Sequence, residues 1–167
     1  MLKVKNISKT FNSVAGPVAA VDNISFTVDD SQFVSIIGKS GSGKTTLLSL
    51  LGALDKPTSG SIEVGGQDIT SLRDHLLVKY RARSIGFVFQ SYNLVPNLTA
   101  IENVILPMEF AGVPKAERKS RAEELLNKVG IDADKQLRKP TRLSGGEQQR
   151  VAIARALANR PKLILAD

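Results

Sequence analysis

The stretch GKSGSGKT, Gly38–Thr45, fits the pattern G-x-x-x-x-G-K-[ST] and lies between two segments of different character. On its N-terminal side, FVSII (Phe33–Ile37) is a short apolar run rich in β-branched residues, which predicts a strand buried on both faces in a parallel sheet. On its C-terminal side, TTLLSLLGAL predicts a helix, because its leucines recur at helical spacing. These leucines are Leu47, Leu50, Leu51 and Leu54. A strand, a glycine-rich loop and a helix are therefore expected in this order.

Such a loop suits a phosphate chain, because several backbone N–H groups point inward and no side chain intervenes at Gly41 and Gly43. The helix that opens at Lys44 adds the positive end of its dipole. Lys44 is expected to reach the β- and γ-phosphates, and the Thr45 hydroxyl is expected to ligate Mg²⁺. The motif indicates a nucleoside triphosphate without revealing its use. The predicted nucleotide contacts here are Gly38, Lys39, Ser40, Gly41, Ser42, Gly43, Lys44, Thr45 and Thr46.

The rest of the chain combines strand-like and helical segments. ISFTV (24–28) predicts a strand with one buried face, since Ile24, Phe26 and Val28 alternate with polar residues. SIEV (61–64), SIGFVFQ (84–90) and KLILAD (162–167) predict further strands. Residues 98–160 read as mostly helical: Thr99 and Glu102 form a capping box, and a later helix is entered through Pro114. The apolar face of that later helix consists of Ala122, Leu125, Leu126 and Val129.

Charge and composition exclude several classes of protein. The net charge is +7, but the excess lies between Lys115 and Lys162, where acidic residues are interspersed. Mixed charges of this kind are typical of solvated helix faces, and an aromatic content of 5% is low for base stacking, so no direct contact with nucleic acid is expected. The absence of cysteine excludes disulfides and thiolate metal sites. No apolar run is long enough to cross a bilayer, which predicts a cytoplasmic protein.

A second motif is LSGGEQQR, Leu143–Arg150. Ser144 and Glu147 predict a capping box, and Gly145 and Gly146 leave the first turn of the following helix bare. A capped helix alone does not need two adjacent glycines, which cost helix stability of about 1 kcal/mol each. Their presence indicates that an anion approaches this turn.

This second motif resembles the signature of ABC-type ATPases, in which the serine and glycines of one subunit contact the γ-phosphate held by the other subunit. The resemblance covers essentially the whole chain. It implies a trans contact through Ser144, Gly145, Gly146 and Glu147. It also implies that Phe11 stacks on adenine, although stacking alone would accept any purine. Gln90 matches the Q-loop glutamine, which approaches Mg²⁺ and the attacking water and is, with Lys44, the catalytic residue expected here. Asp167 matches the Walker B aspartate, so the expected metal contacts are Thr45, Gln90 and Asp167.

The fold implied by the resemblance is an α/β P-loop NTPase core with a mixed sheet and an inserted helical subdomain, its C-terminal part missing. The expected organisation is a nucleotide-binding core at residues 1–97, a helical subdomain at 98–142, and the signature helix with the Walker B strand at 143–167. The family's catalytic glutamate and switch histidine have no counterpart here. His75 is expected on a surface helix and cannot replace that histidine. Apolar surface left bare predicts a marginal or self-associating chain.

The expected function is that of the ATP-binding subunit of an ABC transporter, which binds Mg·ATP and couples its hydrolysis to a transmembrane permease at the inner face of the membrane. A second ATPase subunit is expected to complete a head-to-tail dimer. Within the family the sequence resembles the group for lipoprotein release, macrolide export and cell division. Tyr92 and Leu94 are candidate permease contacts, with a core role as the alternative. The rival interpretations are a non-hydrolysing nucleotide-binding fragment and an ABC ATPase of cell division or DNA maintenance.

Overall fold

A computed structural model describes residues 1–14 and 16–167, which form two compact units, Met1–Leu77 and Val78–Asp167. The first unit is built on an antiparallel sheet in the order β2, β1, β3, β4. The second contains a short parallel sheet and a group of helices. None of the helices in the described ranges is long and apolar enough to cross a membrane.

In the first unit, β1 (Leu2–Ser13) pairs with β2 (Gly16–Val28) on one side and with β3 (Ser59–Val64) on the other. β4 (Gln67–Asp68) closes a tight turn with β3. Alternate residues of β1 and β3 point into the core, as a half-buried sheet requires. The buried residues of these strands include Val4, Ile7, Ile62 and Val64.

The helix predicted after the glycine-rich loop is present as α1 (Lys44–Leu51), and Leu47, Leu50 and Leu51 are buried as expected. The expectation for Leu54 was wrong: the helix ends at Leu51 with Gly52 as its C-cap, and Leu54 is 51% exposed. The strand predicted from ISFTV is confirmed within β2, but Ile24 on its expected buried face is exposed.

The buried strand predicted at Phe33–Ile37 was wrong. The segment has no regular structure, and Phe33 and Ile37 are 95% and 92% exposed. A strand is held by hydrogen bonds to a neighbouring strand, and none of the strands in residues 1–14 and 16–167 pairs with this segment. Its composition fits a buried strand, but composition does not supply the neighbour.

In the second unit, β5 (Ile85–Val88) and β6 (Leu163–Ala166) pair in parallel, which confirms both predicted strands. α2 (Asp74–Ser84) crosses the boundary between the units and leads into β5. The remaining helices lie between the two strands in sequence. They are α3 (Ala100–Ala111), α4 (Lys115–Lys128), α5 (Ala133–Gln136), a 3₁₀ turn (Pro140–Arg142) and α6 (Gly145–Leu157).

The helices of the second unit enclose an apolar core, which includes Val104, Met108, Ala122, Leu126 and Val151. The capping boxes predicted at Thr99 and Ser144 both form and start α3 and α6. The predicted face of α4 also packs as expected, because Ala122 and Leu126 are buried while Leu125 and Val129 are partly buried against the same core. The bounds 97 and 142 drawn from the motifs remain a prediction.

Candidate functional site

The loop Gly38–Thr45, called the phosphate loop below, curls around its own lysine. The Lys44 Nζ donates hydrogen bonds to the carbonyl oxygens of Gly38 at 3.0 Å and Lys39 at 2.8 Å. The Ser42 N–H donates to the Lys39 oxygen at 3.2 Å. Gly41 and Gly43 have φ of 78° and 85°, in the left-handed region that favours glycine. The loop therefore holds an ammonium group against its backbone, close to where its amide groups would receive an anion.

Gly43 is required by its neighbour as well as by its backbone. A Cβ placed on Gly43 would lie 2.0 Å from the carbonyl oxygen of Ala20, which is a residue of β2. At Gly41 a Cβ would meet nothing within 4 Å. The first sheet thus approaches the loop so closely at Gly43 that no side chain fits there.

The first turn of α1 offers unused amide groups. The Leu47 N–H makes the first helical hydrogen bond, to the Gly43 oxygen at 2.8 Å, so the amides of Lys44, Thr45 and Thr46 precede the helical ladder. No acidic residue occupies this turn. Orphan N–H groups and the positive end of the dipole favour an anion here, as in other phosphate sites at helix N-termini.

Phe11 lies on β1 and is 44% exposed. The Lys9 Nζ lies 4.9 Å from the centre of its ring and also pairs with Asp55 at 2.8 Å. An ammonium over an aromatic face is an attractive contact, and the pairing with Asp55 fixes the lysine in place. The Asp55 pKa is lowered mainly by its hydrogen bond from Lys9. The ring is held by this contact while much of its surface stays open to a ligand.

In the second unit the parallel pair brings Gln90 and Asp167 to the same edge. Val88 is aligned with Ala166, and the Asp167 N–H donates to the Val88 oxygen at 3.0 Å. Gln90 follows β5 by two residues and Asp167 follows β6 by one, and both are exposed. Amide and carboxylate oxygens are suitable ligands for Mg²⁺. No group of three acidic, histidine or cysteine side chains in the described residues could hold a metal unaided.

Within the second unit, the Asp167 carboxylate and the Gln90 amide are donor types that fit Mg²⁺, which one or two carboxylates hold together with phosphate oxygens and water. Thr45, which carries a hydroxyl, is exposed. Thr45 belongs to the first unit and the other two residues to the second.

The stretch Leu143–Arg150, called the signature turn below, is tied together by its own side chains. The Glu147 carboxylate accepts hydrogen bonds from the Ser144 N–H at 2.8 Å and from the Ser144 hydroxyl at 2.9 Å. In return, the Ser144 Oγ accepts a hydrogen bond from the Glu147 N–H at 3.3 Å. Lys135 pairs with the same carboxylate at 3.1 Å. The hydrogen bond from the Ser144 backbone, followed by the Lys135 contact, lowers the Glu147 pKa to about 2. Glu147 is therefore ionised and partnered at neutral pH.

Among the residues that the structure describes, no neighbour requires glycine at either position of the signature turn. A Cβ on Gly145 would lie 3.8 Å from the Tyr92 hydroxyl oxygen, and a Cβ on Gly146 would lie 3.7 Å from an Arg150 nitrogen. Both distances are ordinary contacts, and both residues are exposed. The packing of the described residues therefore leaves room for a side chain at both positions.

Two polar side chains near this site were missed in the sequence. Arg155, on α6, donates to the carbonyl oxygens of Tyr92 and Asn93, and Asn103, on α3, is fully buried and bonds the segment that precedes its helix. Both interrupt apolar runs, VAIARAL and IENVIL, so the signal was a polar residue on a buried face. His75 is exposed on α2, as expected.

The phosphate loop, the paired strand ends and the signature turn occur in the order of a known family, whose ABC transporter model matches residues 21–167. The chain belongs to the ABC transporter ATPase family. Members bind nucleotide, and the complete proteins hydrolyse ATP.

The relatives of this ABC ATPase include transporter proteins of several kinds. An uncharacterised ABC transporter ATP-binding protein of Thermotoga maritima is 52% identical over all of the chain and 71% of its own length. The lipoprotein-releasing system ATP-binding protein LolD of Geobacter metallireducens is 47% identical over all of the chain and 74% of its own length. The macrolide export ATP-binding/permease protein MacB of Mannheimia succiniciproducens is also 47% identical, with 26% of its length covered.

The ABC fold is confirmed by a solved relative. The ATP-binding cassette MJ0796 of Methanocaldococcus jannaschii, solved as a dimer in a post-hydrolysis state bound to ADP and Pi, superposes with a TM-score of 0.91. It is 46% identical, and the match covers all of this chain and 73% of the other. The predicted family and fold class are thereby confirmed.

Proposed function

We propose that this chain is the ATP-binding part of an ABC transporter of the lipoprotein-release and macrolide-export group, and that it binds Mg·ATP through the phosphate loop. The observation that carries the proposal is the loop itself: Lys44 donates to two carbonyls of the loop backbone, Gly41 and Gly43 adopt left-handed φ, and the first turn of α1 contains no acidic residue. Phe11 is the proposed base-stacking residue. The loop residues proposed to contact phosphate are Gly38, Lys39, Ser40, Gly41, Ser42, Gly43, Lys44, Thr45 and Thr46.

The metal is proposed to be held by Thr45, Gln90 and Asp167, which supply a hydroxyl, an amide and a carboxylate oxygen. When bound, Mg²⁺ neutralises charge on the phosphate oxygens. To reach a phosphate, the Lys44 ammonium must give up its hydrogen bonds to the Gly38 and Lys39 carbonyls. It then gains a bond to a charged phosphate oxygen, which is stronger than a bond to a neutral carbonyl. Gln90 lies at the carboxyl end of β5, where an amide orients water without changing its own charge.

A calorimetric titration of Mg·ATP into the chain tests the phosphate loop. We expect saturable binding that is lost in Lys44→Ala, because the loop holds the Lys44 ammonium against its own backbone, where the phosphates are proposed to bind. Lys3→Ala is the matched control, since Lys3 is half-buried on β1 and its ammonium pairs with Glu63 at 3.6 Å. Equal binding by all three proteins would refute the assignment. A phosphate-release assay on the same samples separates turnover from binding, and binding without turnover would favour the non-hydrolysing interpretation.

We propose that a second ATPase subunit completes the site by placing its own signature turn, with Ser144, Gly145, Gly146 and Glu147, on the γ-phosphate. Support comes from the bare glycines, which the chain's own packing does not require. The Ser144 hydroxyl at present donates to Glu147, and a phosphate oxygen would compete for that proton. Lys135 compensates the Glu147 charge at 3.1 Å and so reduces repulsion toward an arriving anion.

Gly146→Ala tests this dimer, because we expect it to raise the stability of the chain and to weaken its association with a second subunit. The methyl group fits in the isolated chain, so we expect a gain in helix stability of up to about 1 kcal/mol. The same methyl group would stand between the helix amides and the partner's phosphate. Sedimentation velocity with Mg·ATP should therefore show weaker association than in the unchanged chain. A variant that becomes more stable and still associates normally with Mg·ATP would contradict the proposal.

We propose that the membrane partner docks at a cavity of about 200 Å³ in the second unit, which places the chain at the inner face of the cell membrane. The cavity suits an apolar helix with a polar end, because stacked rings of Phe87 and Phe89 line it together with Arg155 and Asn159. The Oδ1 of Asn159 is buried and accepts no hydrogen bond within the described residues. Leu94 instead packs against the helical core, which favours its core role.

A photo-crosslinking residue at Ala82, which lines the cavity, tests the docking site in membranes from cells that express the chain. We expect a crosslink to an integral membrane protein. The same crosslinker at Ser120, exposed on α4, is the control and should give none. Equal products at both positions, or none at Ala82, would refute this docking site.

A further inference from the structure

Residues 91–99, which follow Gln90, are attached to the rest of the second unit at two points. Arg155 of α6 donates from one guanidinium nitrogen to the Tyr92 oxygen at 2.7 Å and from the other to the Asn93 oxygen. Further along, Asn103 of α3 accepts the Val95 N–H at 2.7 Å and donates to the Thr99 oxygen at 2.9 Å. Gln90 lies immediately before this attached segment.

The attached backbone would not hold this shape unaided. Tyr92 and Asn93 have φ of 59° and 46°, so two consecutive non-glycine residues are left-handed. Asparagine tolerates that region, whereas a bulky tyrosine does not, and the cost is normally met by surrounding contacts. The two carbonyls that Arg155 binds belong to these same two residues. The guanidinium is positioned to hold both peptide groups in this conformation.

The same segment reaches the other end of α6. The Tyr92 hydroxyl lies 3.8 Å from where a Cβ of Gly145 would be, in the first turn of the helix, while its carbonyl is bound by Arg155 in the last turn. Tyr92 is therefore near the first turn of α6 through its hydroxyl and is bound from the last turn through its carbonyl. Burial lowers the Arg155 pKa, yet a guanidinium remains charged at neutral pH, so its hydrogen bonds are charge-assisted.

We propose that Arg155 is a positioning residue that joins the segment after Gln90 to the signature helix, so that Gln90 and the signature turn move as one body. A shift of α6 would then be transmitted to the side chain proposed to face the metal and the water, and the reverse also holds. The roles of Gln90 and of the signature turn rest on the proposed function, whereas the mechanical link rests on the contacts above.

The absence of cysteine allows spin labels to be placed at chosen sites. Labels at Ser91→Cys and Gln149→Cys, both exposed positions, report the distance between the segment and α6 by pulsed electron resonance without nucleotide. We expect a narrow distribution that widens about twofold in Arg155→Met, because the left-handed residues lose their support. Arg155→Lys keeps the positive charge but loses the planar guanidinium that binds two carbonyls at once, so the distance distribution should also widen in this variant.

Asn159→Ala is the matched control for stability. Asn159 lies two residues after α6 and, like Arg155, donates to two carbonyls, but these are those of Ala82 at 2.7 Å and Pro107 at 2.8 Å, which lie outside residues 91–99. The Ser91–Gln149 distribution should stay narrow in this variant. A second label pair, Ser120→Cys with Gln149→Cys, should not respond to Arg155→Met, since it measures α4 against α6.

Unchanged widths in Arg155→Met, or equal widening in Asn159→Ala, would overturn the proposal. Because no nucleotide is present, this result is independent of whether Gln90 approaches a metal. Loss of ATP binding in the titration above would remove the proposed function and leave the link standing.

Discussion

At the scale of single residues, the two glycines Gly41 and Gly43 of the phosphate loop differ in how closely neighbouring atoms approach them. A Cβ added to Gly43 would lie 2.0 Å from the Ala20 carbonyl oxygen. Gly41 has a similar φ, but a Cβ added there would meet no atom within 4 Å. Two glycines of one motif therefore have different reasons to be glycine. The motif alone cannot distinguish them, because the opposing carbonyl comes from β2.

These two glycines should respond differently to alanine. Gly41→Ala bears only the cost of a left-handed backbone, about 1–2 kcal/mol, and we expect it to keep a folded loop. Gly43→Ala bears that cost and a clash with Ala20, so the loop must shift and Mg·ATP binding should be lost. Thermal unfolding and calorimetry on both variants check this. Equal loss of stability in the two would show that the Ala20 contact yields easily.

Glu147 gives the signature turn a pH dependence. Its folded pKa of about 2 lies below the ordinary value of 4.5, so its contribution to stability is fully present above pH 4.5 and is lost as the pH falls toward 2. Glu147→Gln should flatten the slope of unfolding free energy against pH in that window and leave the slope above it unchanged. Urea unfolding at several pH values measures both slopes. Parallel curves for the two proteins between pH 4.5 and 2 would contradict the assignment.

At the scale of elements, polar side chains set how loops join helices. Asn103 bonds backbone groups of Val95, Leu98 and Thr99 from inside the apolar core, so these groups are paired where the segment enters α3. Asn103→Leu keeps the volume and removes these bonds. We expect a loss of about 3 kcal/mol in unfolding free energy, because several buried groups lose their partner. Urea denaturation measures it, with exposed Asn97→Ala as a control expected within about 0.5 kcal/mol. A loss no larger than the control's would refute this role.

What could be predicted at this scale depended on how local the cause was. Capping boxes at Thr99 and Ser144 are set by residues three apart, and both formed. The glycine-rich loop and α1 were predictable for the same reason. The clamp of Arg155 joins residues 62 and 63 positions apart, and no local pattern specifies such a pairing. The prediction of a strand at Phe33–Ile37 was wrong for the same reason, since a strand depends on a partner strand that can be distant in the sequence.

At the scale of the whole molecule, the segment Phe33–Ile37 leaves large apolar side chains in solvent. Phe33 and Ile37 are almost fully exposed, and Val34 and Ile36 are partly so. Contiguous exposed apolar residues of this kind favour association. The chain is therefore expected to self-associate, as its sequence also suggested.

Replacing Phe33 and Ile37 together by lysine should shift the sedimentation profile toward monomer and lower the fluorescence of a hydrophobic dye. Phe110→Lys is the control, because Phe110 is 76% exposed on α3 outside this run and should change neither signal as much. A chain that is monomeric before any substitution would contradict the prediction.

The Ala20–Gly43 contact also determines how portable the phosphate loop is. A peptide spanning Phe33–Leu51 contains every residue of the motif but lacks β2, whose carbonyl sets the limit at Gly43. Grafting the motif onto a foreign scaffold would transfer the loop amides and Lys44 without the β2 backbone that packs against Gly43. For protein engineers the unit to transfer is therefore the loop together with the hairpin of β1 and β2. A design that copies the eight residues alone should bind the nucleotide poorly.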